Sequence, residues 1–147
     1  PLLAESYNNL GNVLKIMGNY QDAINLYKIS LNYKPNFIEA LCNLGYILEE
    51  INKYKEAELY IRQAIQLNSS YPNPYKCLAN ILFANGDIKA ALIEAKKGVL
   101  LNPSCSSALN TIGKLYKANG NIAEAKKCFK KSLKLKPWSI VASYGLD

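Results

Sequence analysis

The sequence predicts an all-α chain, an α–α superhelix (solenoid) of four tandem helix–turn–helix units, each 34 residues long. Three observations predict it. The stretch LGNVLKIMGNYQDA at 10–23 returns 102 residues later, three times 34, as IGKLYKANGNIAEA at 112–125. Written in units that start at Ala4, Ile38, Pro72 and Ser106, the chain keeps small residues at the eighth, twentieth and twenty-seventh places throughout. Between them, larger apolar residues recur at offsets of three, four and seven, the spacing that lines one side of a helix. A self-similarity of this period is the mark of a repeat architecture, in which no unit buries its apolar face alone.

The first unit, 4–37, opens with a helix striped by Tyr7, Leu10 and Leu14, stops at Gly18-Asn19, and continues in a second helix striped by Ala23, Tyr27, Ser30 and Leu31 before Pro35 ends it. The second, 38–71, has Leu41, Leu44 and Leu48, a stop at Asn52-Lys53, and small Ala57 and Ala64 on its second helix. Ser69 stands in it where the other units have proline, with Pro72 and Pro74 just beyond. The third, 72–105, repeats the scheme with Tyr75, Leu78 and Leu82, Gly86-Asp87, Ala91, Gly98 and Pro103. The fourth, 106–139, has Leu109, Ile112 and Tyr116, Gly120-Asn121, then Ala125, Phe129, Ser132, Leu133 and Pro137. Glycine at the stops can take the left-handed cap conformation, and proline halts the second helix. Small residues on both helices let the backbones approach, and Gly11 is expected opposite Ala23. Pro1 falls 34 residues before Pro35, the place of a closing proline, and 140–147 reads as the start of a further first helix. The expectation is one array over 1–147 with apolar ends capable of end-to-end self-association.

With Y-x2-L-G-x2-L, A-x3-Y and P in its first unit, the chain resembles the tetratricopeptide repeat family over residues 4–139. Departures are Ala79 for Gly, Ile61 and Ala95 for the aromatic residue, and Ser69 for Pro. The resemblance implies a right-handed superhelix whose first helices line a concave groove while the second helices face outward. It implies a protein or peptide partner in that groove. The groove places are then Glu5, Asn8, Asn9, Asn12, Lys15 and Ile16; Glu39, Cys42, Asn43, Tyr46, Glu49 and Glu50; Asn73, Lys76, Cys77, Asn80, Phe83 and Ala84; and Ser107, Asn110, Thr111, Lys114, Lys117 and Ala118.

Asparagine is over-represented among them, and its amide both donates to and accepts from a peptide backbone, which suits a sequence-tolerant groove. Asn9-Leu10-Gly11 and Asn43-Leu44-Gly45 are similar to the repeats that precede protein O-linked N-acetylglucosamine transferases, where an asparagine row grips substrate; here the row breaks at Cys77 and Thr111. That resemblance implies an alternative role as the substrate-recruiting region of a larger modifying enzyme. The family's clamp for C-terminal carboxylates needs lysines and an arginine where this chain has Asn8, Asn73 and Cys77.

Composition narrows the chemistry. The chain of 147 residues is half apolar and a fifth charged, the balance of a soluble globular protein, and no apolar run reaches the length of a membrane span. There is no histidine, so catalysis lacks its commonest base, and Cys42, Cys77, Cys105 and Cys128 offer no metal-ligand spacing. Carboxylates such as Glu49 and Glu50 fall at solvated helix places, and Gly113-Lys114 lacks the rest of a phosphate-binding loop. No enzyme activity, cofactor or metal is expected, and scattered cysteines suit a reducing, cytoplasmic compartment.

The net charge of +7 is uneven: the four units carry +1, −2, +2 and +7, and Asp147 adds −1. Glu39, Glu49 and Glu50 make the middle of the groove acidic, and Lys76, Lys114 and Lys117 its far half basic, which would steer a ligand into one orientation. Lys126, Lys127, Lys130, Lys131, Lys134 and Lys136 run along the last second helix. A lone arginine, Arg62, and no interleaved aromatic on that face argue against nucleic acid as partner.

Overall fold

A computed structural model describes residues 2–146; the expectations that rest on Pro1 and Asp147 lie outside them. The described residues form nine α-helices: α1 (Leu2–Ile16), α2 (Tyr20–Tyr33), α3 (Ile38–Glu50), α4 (Tyr54–Leu67), α5 (Asn73–Ala84), α6 (Ile88–Leu101), α7 (Ser106–Ala118), α8 (Ile122–Leu135) and α9 (Ile140–Leu146). The chain divides into two compact bodies, residues 1–69 with α1–α4 and residues 70–147 with α5–α9.

Each predicted stop forms the same turn. Gly18, Gly86 and Gly120 take φ of 79°, 87° and 81°, and Asn52 takes 62° at the matching place. The next N–H closes back five residues: Asn19 to Leu14, Lys53 to Leu48, Asp87 to Leu82 and Asn121 to Tyr116, all at 2.8–2.9 Å. This is a Schellman cap, which satisfies carbonyls the helix leaves open and needs the left-handed conformation that Gly adopts freely and Asn tolerates. Asp87 and Asn121 then cap the following helices, accepting from the N–H of Ala90 at 2.9 Å and of Glu124 at 3.3 Å.

In the first body α1 pairs with α2 and α3 with α4, and α3 packs back on the preceding pair. Ala23, Ala57 and Ala64 are fully buried. The sequence placed Gly11 opposite Ala23, and the structure corrects this. A Cβ built on Gly11 would stand 2.7 Å from the Tyr27 ring, and one on Gly45 would stand 2.5 Å from Ile61. The eighth place therefore faces chiefly the twenty-fourth, one turn further along the second helix than expected, while in the second repeat the twentieth-place Ala57 carbonyl also lies 3.5 Å from that Cβ. Helical periodicity gives spacing along each helix but not the rotation of one against the other. At the twenty-seventh place Ser30 adds a tether, its hydroxyl donating to the Ala4 carbonyl at 2.6 Å.

The second body pairs α5 with α6 and α7 with α8; α7 packs on the first pair and α9 on the second. Ile112 and Leu115 of α7 bury against Ala91, Leu92 and Ala95 of α6 and Ala79 of α5. A Cβ on Gly113 would meet the Phe129 ring at 2.7 Å, repeating the first body's geometry. Where the eighth place is Ala79, the twenty-fourth is Ala95, so the added methyl on one helix coincides with loss of the large side chain on the other. Ser132, like Ser30, donates across its hairpin, here to the Ser106 carbonyl at 3.1 Å.

Candidate functional site

In the first body the groove-place residues of α1 and α3 meet. Asn43 Nδ2 donates to Asn8 Oδ1 at 2.9 Å, joining residues 35 apart in sequence. Asn8 is buried, while Asn9 beside it is exposed. Asn12 accepts from the Tyr27 hydroxyl at 2.8 Å, so the second helix braces the first from behind. The Lys15 ammonium sits 3.9 Å from Glu50 Oε1 and 5.9 Å from the Tyr46 ring centroid. That pair is half exposed, so it positions charge more than it stabilises. Tyr46 and Glu49 are half-buried; Glu39 and Glu50 are exposed. Glu50 is thus a shared charge, partly matched by Lys15, inside the patch the sequence marked as acidic.

Burial and these carboxylates move two groups. Burial, reinforced by Glu50, pushes the Tyr27 phenol up to about 12. Burial and then Glu39 push the Cys42 thiol up to about 12, against a hydrogen bond to Tyr46 that lowers it. For an acid raised on folding, the unfolded chain loses its proton first, so stability is complete below the unfolded value and is lost as pH rises through the folded one. The urea midpoint should therefore fall as pH climbs from 10 to 12, the window set by Tyr27's ordinary and folded values. Tyr27→Phe should flatten the fall; an equally steep fall in that variant would remove Tyr27 from the account.

In the second body the groove-place residues are Lys76, Asn80 and Phe83 on α5 and Asn110, Lys114 and Lys117 on α7. Lys76, Phe83, Lys114 and Lys117 are exposed and Asn80 is half-buried. Thr111 turns its hydroxyl back to the Ser107 carbonyl of its own helix at 3.2 Å. Asn110 is buried, and its Nδ2 donates to Ser139 Oγ at 3.3 Å while Oδ1 has no partner among the described residues. The first body explains why. Asn8 has Asn43 35 residues on, and the residue 35 beyond Asn110 is Gly145, which has no side-chain amide to offer. Leaving such an atom buried and unpaired costs about 1–3 kcal/mol.

Sequence reasoning picked out both amides but not their partners. The pairing of Asn8 with Asn43 depends on how α1 and α3 lie together, and Ser139 as a partner carries no sequence signal beyond its place before α9. Among the described residues no cluster of three or more His, Cys, Asp or Glu side chains could hold a metal ion. No helix among them is long and apolar enough to cross a membrane. All four cysteines are free, Cys42 and Cys77 buried and Cys105 and Cys128 half-buried.

Among solved structures, the chain is similar to PilF of Pseudomonas aeruginosa at 20% identity, with a TM-score of 0.89, over 98% of this chain and 66% of that one. It is similar to a thermophilic tetratricopeptide-repeat protein of Thermus thermophilus at 21% identity and a TM-score of 0.87, covering 97% and 79% of the two chains. It is also similar to YrrB, described as a tetratricopeptide-repeat protein with an unusual peptide-binding site, at 22% identity and a TM-score of 0.74, covering 95% and 72%. At these identities the likeness is one of fold. No curated protein matches by sequence. Models of the tetratricopeptide repeat match residues 2–70 and again 106–137, which together take in α1–α4, α7 and α8. With the repeat, the caps and the hairpin packing all in agreement, the chain belongs to the tetratricopeptide repeat family.

Proposed function

We propose that the chain works as one interaction array without catalytic activity, in the cytoplasm, and that the first helices of its repeats hold an extended segment of a protein partner. Tetratricopeptide repeats serve in general as interaction scaffolds, and the reading here goes one step further, to the face used. The observation that carries it is the joined set on α1 and α3: the Asn8–Asn43 amide pair beside the Lys15–Glu50–Tyr46 cluster. Asn8 is buried and orients Asn43, which is half-buried and can offer its remaining polar atoms to the N–H and C=O of an extended backbone. Tyr46 supplies a rigid ring of the kind that anchors interfaces. The description of YrrB as having a peptide-binding site supports a similar use of this fold.

The test is peptide selection from a random library on the immobilised chain, followed by fluorescence anisotropy. Asn43→Ala with Tyr46→Ala should weaken the selected peptides by at least about tenfold, the size of one lost anchor of roughly 1.4 kcal/mol. Circular dichroism should be unchanged. Equal affinity in the folded variant would contradict the proposal.

A further inference from the structure

On α8 and just past it, Lys130, Lys131, Lys134 and Lys136 are all exposed, and none of them forms an ion pair among the described residues. Lys127, by contrast, is neutralised by Glu124 at 2.6 Å. Lys130 and Lys134 stand one turn apart, where like charges repel, and only Lys134, in the last turn, gains from the helix dipole.

The residues that follow sharpen this. Trp138 is 75% exposed and Val141 44% exposed. Open stacking surface at the end of a repeat does not account for either residue, because both occupy places that stay exposed inside the array. The place of Trp138 is held by Asn36, Ser70 and Ser104 in the earlier repeats, all exposed and all polar. The place of Val141 is held by Glu5, Glu39, Asn73 and Ser107, again all exposed and polar. Only here do these places become apolar, and Trp138 follows the unpaired Lys136 by two residues.

We infer that this edge of the second body docks on an anionic membrane surface, the lysines facing lipid headgroups and Trp138 entering the interface. Charge and composition decide between polyanions. Lysine clusters without arginine act as point charges on anionic lipid, and tryptophan favours the headgroup level. Nucleic acid would use arginine, which this lysine run lacks, and a wider set of stacking rings than the exposed Trp138 and Tyr144. The chain lies on the bilayer and does not cross it.

Because Trp138 is the sole tryptophan, its fluorescence reports the contact directly. The full chain is mixed with phosphatidylcholine vesicles containing phosphatidylserine, with phosphatidylcholine vesicles alone, and with single-stranded RNA. Binding should appear with the phosphatidylserine vesicles only, with a blue shift of Trp138 emission and a steep decline in added salt. Lys130→Gln, Lys131→Gln and Lys134→Gln together should weaken it by roughly a hundredfold, at about fivefold for each charge near the surface. Trp138→Ala, followed by sedimentation, should weaken it with every charge retained. These positions are exposed, so the variants should keep the wild-type circular dichroism. No sedimentation with phosphatidylserine vesicles, binding indifferent to Trp138→Ala, or tighter binding to the RNA than to the vesicles would each overturn the inference.

Discussion

Phe129→Ala is expected to destabilise the second body by about 3–5 kcal/mol and to free α9 from α8, the upper end of what losing a buried aromatic costs. The ring is 1% exposed, and two glycines close on it from different edges. A Cβ on Gly113 would come within 2.7 Å of it and one on Gly145 within 2.5 Å. Ala125 and Ala142 complete the buried contact, with Tyr116, Leu133 and Leu146 around them. Neighbours that are already glycine and alanine cannot swing inward to fill the space, so the cavity stays open and the cost stays high. α9 has only seven residues, too short to persist by itself, and is held by this packing and by Ser139, whose Oγ accepts from the Ala142 N–H at 3.4 Å. The unpaired oxygen of Asn110 already weakens the same junction. Urea unfolding followed by circular dichroism gives the energy, and hydrogen exchange of the α9 amides gives the release. A loss below about 1 kcal/mol, the scale of an ordinary substitution, would show that the ring is not the wedge described.

Much of this could be read from residues alone. The stops at Gly18, Asn52, Gly86 and Gly120 were legible because only a few residue types take positive φ without strain, so their recurrence fixes where each hairpin turns. Ala23, Ala57, Ala91 and Ala125 were legible as buried because only small residues occupy that place. What faces the eighth place was not legible: Tyr27, Ile61 and Phe129 take that position through the rotation of the second helix, to which a one-dimensional pattern is blind. The amides of the candidate site divide the same way. Their enrichment on the first helices shows in the sequence, while the Asn8–Asn43 bond and the orphaned Asn110 oxygen arise from packing between residues 35 apart.

Ile61→Ala carries the second large effect, an expected loss of about 2–5 kcal/mol in the first body for a large-to-small change at a fully buried side chain. Its greater value lies in what it does to Gly45. In the native chain an alanine Cβ at 45 would press to 2.5 Å from two Ile61 carbons, and the Ala57 carbonyl lies only 3.5 Å away, leaving little room to yield. Overpacking of this kind costs about 1–3 kcal/mol, more than the up to about 1 kcal/mol that alanine gains over glycine inside a helix. Remove the isoleucine and the clash disappears while the helix gain remains. The third repeat already has this combination, Ala79 with Ala95, inside a buried cluster.

Urea unfolding of Gly45→Ala in two backgrounds tests most directly the claim that the smallness of the eighth place is set by the side chain at the twenty-fourth. The substitution should destabilise the native chain and stabilise the Ile61→Ala chain, a reversal of sign. A change of the same sign in both would contradict the packing on which the hairpins, the joined face of α1 and α3, and the function proposed for it all rest.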